Sequence, residues 1–300
     1  MKIAYIMLCH KNPEQINRFI NSLQHQGNDF YIHIDLKSNI EDKLISSDNI
    51  FILKKSKRLD VKWGGMSMIH ATLNLIKEVL DSDCQYDYIW LISGQDYPIK
   101  DNQKISKYLK NNYNANFLHV IEDKKTIENF LKRVELYYPE WMVQNNFWSK
   151  LTKRTYIFLL KSKKAHEIFK RKKILDYDFY FGSQWWVLTY EAIQYVYELL
   201  ERKPEVLDFF ENTIAPDEAF FQTILMNSSF RKTIRNNLTY IKWEGAAHPK
   251  TFTLEDVNEL ESESFLLARK FDYDIDIDIF DKIDSLILSR SLGSSSIVSK

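Results

Sequence analysis

Cysteine is almost missing from this chain of 300 residues: Cys9 and Cys84 are the whole supply. Both fall in apolar runs that read as core strand or strand edge, which excludes a disulfide scaffold and a zinc site and fits a reducing cytoplasm. Net charge is missing as well. Forty-one basic residues offset forty-one acidic ones, so no global field would recruit nucleic acid or an anionic surface, and no nucleic-acid module is recognisable. No stretch of about 18 apolar residues exists to span a bilayer. The opening "MKIAYIMLCH" has no cleavage site after it and reads as a first buried strand, not a signal. The run "DYDIDIDIFDKID" lacks the glycine and the twelfth-position glutamate of a calcium-binding loop, so it reads as a solvated acidic edge with buried isoleucine.

What the chain has is a globular balance, 45% hydrophobic and 27% charged, enough for one large core or two fused lobes. After the first strand, "KNPEQINRFINSLQ" predicts a helix. Asn12 can cap it, Pro13 suits its first position, and Ile16, Phe19, Ile20 and Leu23 share a face. "DFYIHID" and "NIFILKK" read as strands, "MSMIHATLNLIKEVLDS" as a helix, and "YDYIWLISGQDYPI" as a buried strand entering a polar turn. This alternation predicts an α/β fold with a mostly parallel sheet covered by helices on both faces. Ligands of such sheets sit beyond the carboxyl ends of the strands, where His33 to Asp35 and Ser93 to Asp96 fall, so a nucleotide site is expected there.

Residues 125–175 change character. Ten Lys or Arg stand against a single Glu from Lys150 to Lys173, with Tyr156, Phe158 and Phe169 among them. A helical, basic insertion is predicted, within one domain of residues 1–289 that ends in a Ser-rich, frayed tail over 290–300. The segment 150–173 is expected to dock peripherally on an anionic membrane or a lipid-linked acceptor, each basic residue contributing about 1 kcal/mol near such a surface. A solvated face is the alternative. Beyond it, "DFYFGSQWWVLT" reads as a strand or pair of strands, "YEAIQYVYELLE" and "PDEAFFQTILMN" as helices, and "LTYIKWEG" as a strand.

Several constellations could carry chemistry. In "APDEAFFQTIL", Pro216 suits a first helical position, and Asp217 and Glu218 would complement the positive helix end as ordinary capping. A carboxylate held there is expected to stay ionised at neutral pH, as suits a base that accepts a proton only when the transition state forms. In "ISGQDYPI", Asp96 either caps a turn or faces a nucleotide sugar. Asp35 follows His33 by two on one strand face and could meet a base or ribose edge. Gly182 and Ser183 allow close backbone approach; of the next pair, Trp185 and Trp186, one indole packs in the core and the other could stack on a sugar. Lys250, Arg269 and Lys270 are either solvated charges or a cationic clamp on a diphosphate leaving group.

Taken in order, "YIHID", "VKWGGMSMIHATLNLI", "YIWLISGQDYPI", "YFGSQWWVLT", "APDEAFFQTIL", "IKWEG" and "LLARKFD" resemble the core-2/I-branching enzymes, glycosyltransferase family 14, which includes peptide O-xylosyltransferases. The resemblance spans nearly the whole chain. It implies a GT-A-like fold, a UDP-sugar donor and an inverting single displacement with no metal cofactor, basic side chains stabilising the departing UDP. By motif, Glu218 matches the catalytic base and Lys270 a diphosphate-binding residue. Its companion is an arginine shortly after a histidine in the animal branching enzymes, and Lys250 of "HPK" is offered in that place here. Asp35 matches a uracil contact and Trp243 an aromatic acceptor-site wall, with Trp185 a second acceptor-side aromatic. Asp96 stands where many GT-A enzymes keep a metal ligand, but "SGQD" is not an Asp-x-Asp pair. Lacking the membrane anchor and the several disulfides of animal members, the chain looks like a bacterial, cytoplasmic relative. A surface glycan, lipid-linked or free, is the expected acceptor, with UDP-GlcNAc the first donor and UDP-xylose the second. Two other readings stay open: a non-catalytic carbohydrate-binding protein, and a metal-dependent transferase using Asp96.

Overall fold

The computed structural model describes residues 1–139, 152, 154–156, 158–159, 162, 167–171, 175–245 and 248–295. Its strands are β1 (Ile3–Cys9), β2 (Asn28–Ile34), β3 (Ile50–Ile52), β4 (Tyr88–Ser93), β5 (Asp96–Pro98), β6 (Asn116–Leu118), β7 (Trp186–Thr189), β8 (Ile234–Arg235), β9 (Thr239–Ile241) and β10 (Leu267–Arg269). Seven of them form one sheet in the order β3-β2-β1-β4-β7-β6-β8, and β5-β10-β9 form a smaller one. In the large sheet β3, β2, β1 and β4 are mutually parallel, β7 runs antiparallel between β4 and β6, and β8 is parallel to β6. The mostly parallel α/β architecture expected from the alternating pattern is therefore the one observed.

Period two explains why the central strands are apolar throughout. Along β1, Ala4, Ile6 and Leu8 enter one core and Ile3, Tyr5, Met7 and Cys9 the other; along β4, Ile89 and Leu91 oppose Tyr88, Trp90 and Ile92 in the same way. One core is roofed by α2 (Met66–Leu80), whose Met68, Ile69, Leu75, Ile76 and Val79 are buried. The other is roofed by α1 (Pro13–Leu23) through Ile16, Phe19, Ile20 and Leu23. Each such side chain withdrawn from water contributes about 1.5–3 kcal/mol. Pro13 begins α1 as expected, but the Asn12 side chain does not cap it: Nδ2 donates instead to Asp272 Oδ1 at 2.8 Å.

The other helices are α3 (Asn102–Asn111), α4 (Lys124–Glu135), α5 (Tyr190–Arg202), α6 (Pro204–Phe210), α7 (Phe220–Met226), α8 (Val257–Ser262) and α9 (Asp278–Ser295). α4 opens the expected insertion and is tied at its end to residues 169–171, through Tyr137 N–H to Phe169 O (2.9 Å) and Arg171 N–H to Glu135 O (2.7 Å). Half of the basic stretch 150–173, including seven of its ten Lys and Arg, lies outside the described residues.

Four expectations are corrected. Cys84 is not in a strand but in the connection before β4. The expected strand at "LTYIKWEG" is only the three residues of β9. Of the tail expected to fray over 290–300, residues 290–295 continue α9, since adding residues to an existing helix is cheap compared with starting one, and 296–300 lie outside the described residues. In the acidic run Ile275 and Ile277 face solvent while Ile279 and Ile283 are buried; Asp281 and Asp284 answer Arg18 of α1 at 2.5 and 2.8 Å, anchoring α9.

Candidate active site

The parallel strands β1, β2 and β4 exit at one edge of the sheet, and β7, being antiparallel, enters there. Residues 182–185 thus arrive beside the tips of β1, β2 and β4. The site divides into a cationic half and an acidic half, and this short segment touches both.

In the cationic half, β10 lies antiparallel to β5 with Arg269 opposite Asp96. Arg269 Nη1 donates to Asp96 Oδ1 (2.7 Å) and Ser93 Oγ (2.9 Å), and the Trp185 ring covers the guanidinium at 4.2 Å. The Ser93 N–H and hydroxyl also donate to Asp96. Burial pushes the Asp96 carboxyl up and the Arg269 guanidinium down, each against the pull of its partner. Asp96, expected as a donor contact with a metal role only as the alternative, has a side chain that is 0% exposed and answered by Arg269 and Ser93. Trp185, expected on the acceptor side, is also buried: its indole lies against Arg269, while Trp186 packs in the core against Phe221.

Lys270, next in the chain, is half-buried. Burial, Arg269 and Lys11 all lower its pKa, with only Asp272 opposing, and among the described residues it makes no ion pair. Its backbone pairs with the segment bearing Lys250: Lys270 N–H donates to Lys250 O (3.3 Å) and Phe252 N–H to Lys270 O (2.8 Å). The two lysines are therefore neighbours, as their proposed companionship requires. The Lys250 ammonium, however, is committed to Asp256 (2.7 Å) and Glu244 (3.4 Å).

Two residues at the tip of β1 escaped the sequence reading. His10 shares the field of Lys11, Lys270, Asp35 and Asp272, where burial and Lys11 hold its pKa below the usual value. Lys11 Nζ pairs with Asp272 at 2.6 Å. The signal was the strand-end rule applied to "CHK", the first exit of the parallel sheet. Asp35 stands at the tip of β2 as expected, where its carboxylate accepts from Lys37 N–H (2.9 Å) and Val61 N–H (3.1 Å).

The acidic half is a tied loop. Ala215 adopts a left-handed conformation (φ 50°), Pro216–Glu218 form a 3-10 turn, and α7 begins only at Phe220. Asp217 and Glu218 therefore precede the helix and do not occupy its first turn. The loop is held by Ala215 N–H to Gly64 O (2.9 Å), Ile214 N–H to Arg133 O (3.3 Å) and Gly182 N–H to Glu218 O (2.8 Å). Residue 182 must be glycine because of another neighbour: a Cβ there would lie 1.8 Å from His119 O.

The Glu218 side chain is 35% exposed and its Oε2 meets Arg133 Nη1 at 2.5 Å. The Arg133 guanidinium lies over the Phe130 ring at 3.5 Å, so two residues of α4 hold the carboxylate in place. This partner was not evident from sequence, because a cation 85 residues away carries no local pattern.

Asp217 is buried, and its Oδ1 has no hydrogen-bond partner among the described residues. Burial and then Glu218 push its pKa up to about 7, so Asp217, unlike a carboxylate exposed at a helix start, binds a proton near neutral pH. Between its unfolded pKa of about 4 and its folded pKa the native state holds more protons than the unfolded one, so stability falls as pH rises through that window. Asp217→Asn is expected to be more stable than the parent at about pH 8, the gain shrinking toward about pH 4, in urea unfolding across that range.

Two large aromatic surfaces flank this edge. Trp63, in the connection before α2, is 74% exposed and meets the His248 ring at 5.7 Å; Trp243, after β9, is 58% exposed. Trp63 was not singled out from sequence, although it lies within "VKWGG".

Residues 3–265 match the Core-2/I-Branching enzyme family. This chain belongs to that family. Its similar proteins include xylosyltransferase 2 of Rattus norvegicus, 24% identical over 310 residues and covering 95% of this chain and 33% of that protein. They also include beta-1,3-galactosyl-O-glycosyl-glycoprotein beta-1,6-N-acetylglucosaminyltransferase 4 of Mus musculus, at 25% identity over 91% of this chain and 63% of that protein. A third is beta-glucuronosyltransferase GlcAT14B of Arabidopsis thaliana, at 24% identity over 97% of this chain and 67% of that protein. The chain spans about a third of the length of the xylosyltransferases it matches. As members of a core-2/I-branching chain, Glu218, Lys270 and Trp243 occupy positions on one sheet edge or the loops beside it.

Proposed function

We propose that this chain is an inverting glycosyltransferase that uses a UDP-sugar donor and a glycan acceptor, with GlcNAc the first candidate for the transferred sugar and xylose the second. The observation that carries the reading is the presence, at the same end of the sheet, of a half-buried cation without an ion-pair partner among the described residues, Lys270, and a partly exposed carboxylate, Glu218. Residues 182–185 join them, bonded to Glu218 at Gly182 and stacked on Arg269 at Trp185.

In the proposed reaction Glu218 takes the proton of an acceptor hydroxyl as that oxygen attacks the anomeric carbon. The bond from that carbon to the phosphate oxygen breaks, and its electron pair leaves with UDP, whose growing charge Lys270 stabilises. Asp96 already receives its positive charge from Arg269, which supports a reaction without a divalent metal. Thermal unfolding with UDP and UDP-sugars, each with and without EDTA, tests this. A ligand at about 100 times its dissociation constant adds roughly 2.7 kcal/mol. A raised midpoint that survives EDTA is the expected result, and a shift abolished by EDTA would replace this reading with the metal-dependent one.

The exposed Trp63 and Trp243 favour a second reading, a carbohydrate-binding protein without turnover. It predicts glycan binding with no UDP shift. We further propose that the acceptor belongs to a bacterial surface glycan and that residues 150–173 meet it, or its lipid anchor, at the inner face of a membrane. Their charge excess and the exposed Phe158 and Ile168 support this. Binding to anionic liposomes that weakens with salt is expected, and salt-insensitive or absent binding would remove the membrane contact.

A further inference from the structure

A cleft of about 410 Å³ opens beside the first turns of α2. That volume lies within the roughly 300–1,000 Å³ of small-ligand sites. Asp60, Ser67, His70, Asn74 and Glu211 line it with hydrogen-bonding groups, and Leu59 and Met66 supply apolar surface. Such a lining fits a sugar ring, which offers hydroxyls around its rim and C–H groups on its face. His70 Nε2 and Glu211 Oε1 are 2.8 Å apart and about 40% exposed, so both keep free surface for a ligand. Asp60 is paired with Lys37 at 2.5 Å and Glu211 with His70, so the lining offers no unpaired cation among the described residues to an anionic ligand.

The cleft is structurally continuous with the acidic half of the site. Met66 and Ser67 follow directly on Gly64 and Gly65, and the Gly64 carbonyl holds Ala215. Leu59 and Asp60 precede Val61, whose N–H is bound by Asp35. From Glu211 to Glu218 the chain spans at most about 25 Å when fully extended, and the turns at Thr213 and Glu218 make it shorter.

We propose that this cleft is a neutral-saccharide subsite that holds acceptor sugars beyond the one bearing the reacting hydroxyl. The proposal rests on the transferase reading for its role and on the cleft alone for its ligand.

Isothermal titration of the full chain with lactose, chitobiose and, as the anionic probe, sialyllactose tests it. At least one neutral disaccharide is expected to bind with a dissociation constant of about 1 mM or tighter. His70→Ala combined with Glu211→Ala should weaken it about tenfold or more, the usual worth of a hydrogen bond to a charged group. Asn74→Leu, which leaves the His70–Glu211 pair intact, should weaken it as well. A midpoint shift with UDP equal to that of the parent shows that the variants are folded. The proposal is overturned if neither neutral probe binds at about 10 mM, if the variants bind them as the parent does, or if sialyllactose binds more tightly. Loss of the UDP shift in the parent would sink the transferase reading while leaving the saccharide titration to stand on its own.

Discussion

Glu218→Gln is expected to lower turnover by about 10² to 10⁴-fold while leaving donor binding unchanged. Glutamine keeps the shape of the side chain and can still meet Arg133, so the loop tied by Gly64, Arg133 and Gly182 has no reason to move. What disappears is the capacity to take a proton. Steady-state release of UDP, measured beside the UDP-induced midpoint shift, separates the two effects. Near-parental turnover would remove Glu218 from the role of base, and loss of the midpoint shift would mean that the donor pocket had been disturbed instead. Asp217 is a poor substitute, because it is enclosed and holds its proton up to about pH 7.

Arg269→Met should destabilise the fold by about 3–5 kcal/mol at neutral pH, the cost of leaving a buried charge without its partner. The guanidinium answers an Asp96 carboxylate with no exposed surface. Asp96 can escape the penalty by binding a proton, which burial already favours. In the variant the native state then holds more protons than the unfolded state above about pH 4, so the loss should be smallest in acid and grow as pH rises. Adding Asp96→Asn should recover much of it, and a double-mutant cycle in urea measures the coupling. Additive losses would show that the pair is not coupled. Arg269→Lys is not conservative here, since an ammonium lacks the planar face on which Trp185 lies.

The part of this fold that the sequence reveals is the part governed by local period. β1, α1, β2, α2 and β4 follow each other as apolar repeats of two or of three and four, and each is found in place. The strand-end acids were also legible as positions. Their partners were not, because pairing across the chain leaves no local trace: Arg269 meets Asp96 at a separation of 173 residues and Arg133 meets Glu218 at 85. That is why Asp96 looked like an open ligand and proved to be enclosed. The turn at Pro216–Glu218 misled for a different reason. Its composition is that of a helix start, but Ala219 leaves the helical region (φ −135°), and the acids are set apart from α7.

The adjacent tryptophans at the start of β7 pose a problem of framing. Trp186 opens β7 and Trp185 immediately precedes it; both are buried, so a slip of one residue in the pairing of β7 with β4 would change the neighbours of both, and two identical side chains cannot by themselves oppose that exchange. The lock lies at the other end of the strand. Asn116 Oδ1 accepts from the Thr189 N–H at 2.9 Å while its Nδ2 donates to Thr233, and the Thr189 hydroxyl accepts from the Ala192 N–H to start α5. An amide on β6 thus helps to fix the register that keeps Trp185 over the Arg269 guanidinium, so damage at Asn116 would surface as a fault in the cationic half of the site.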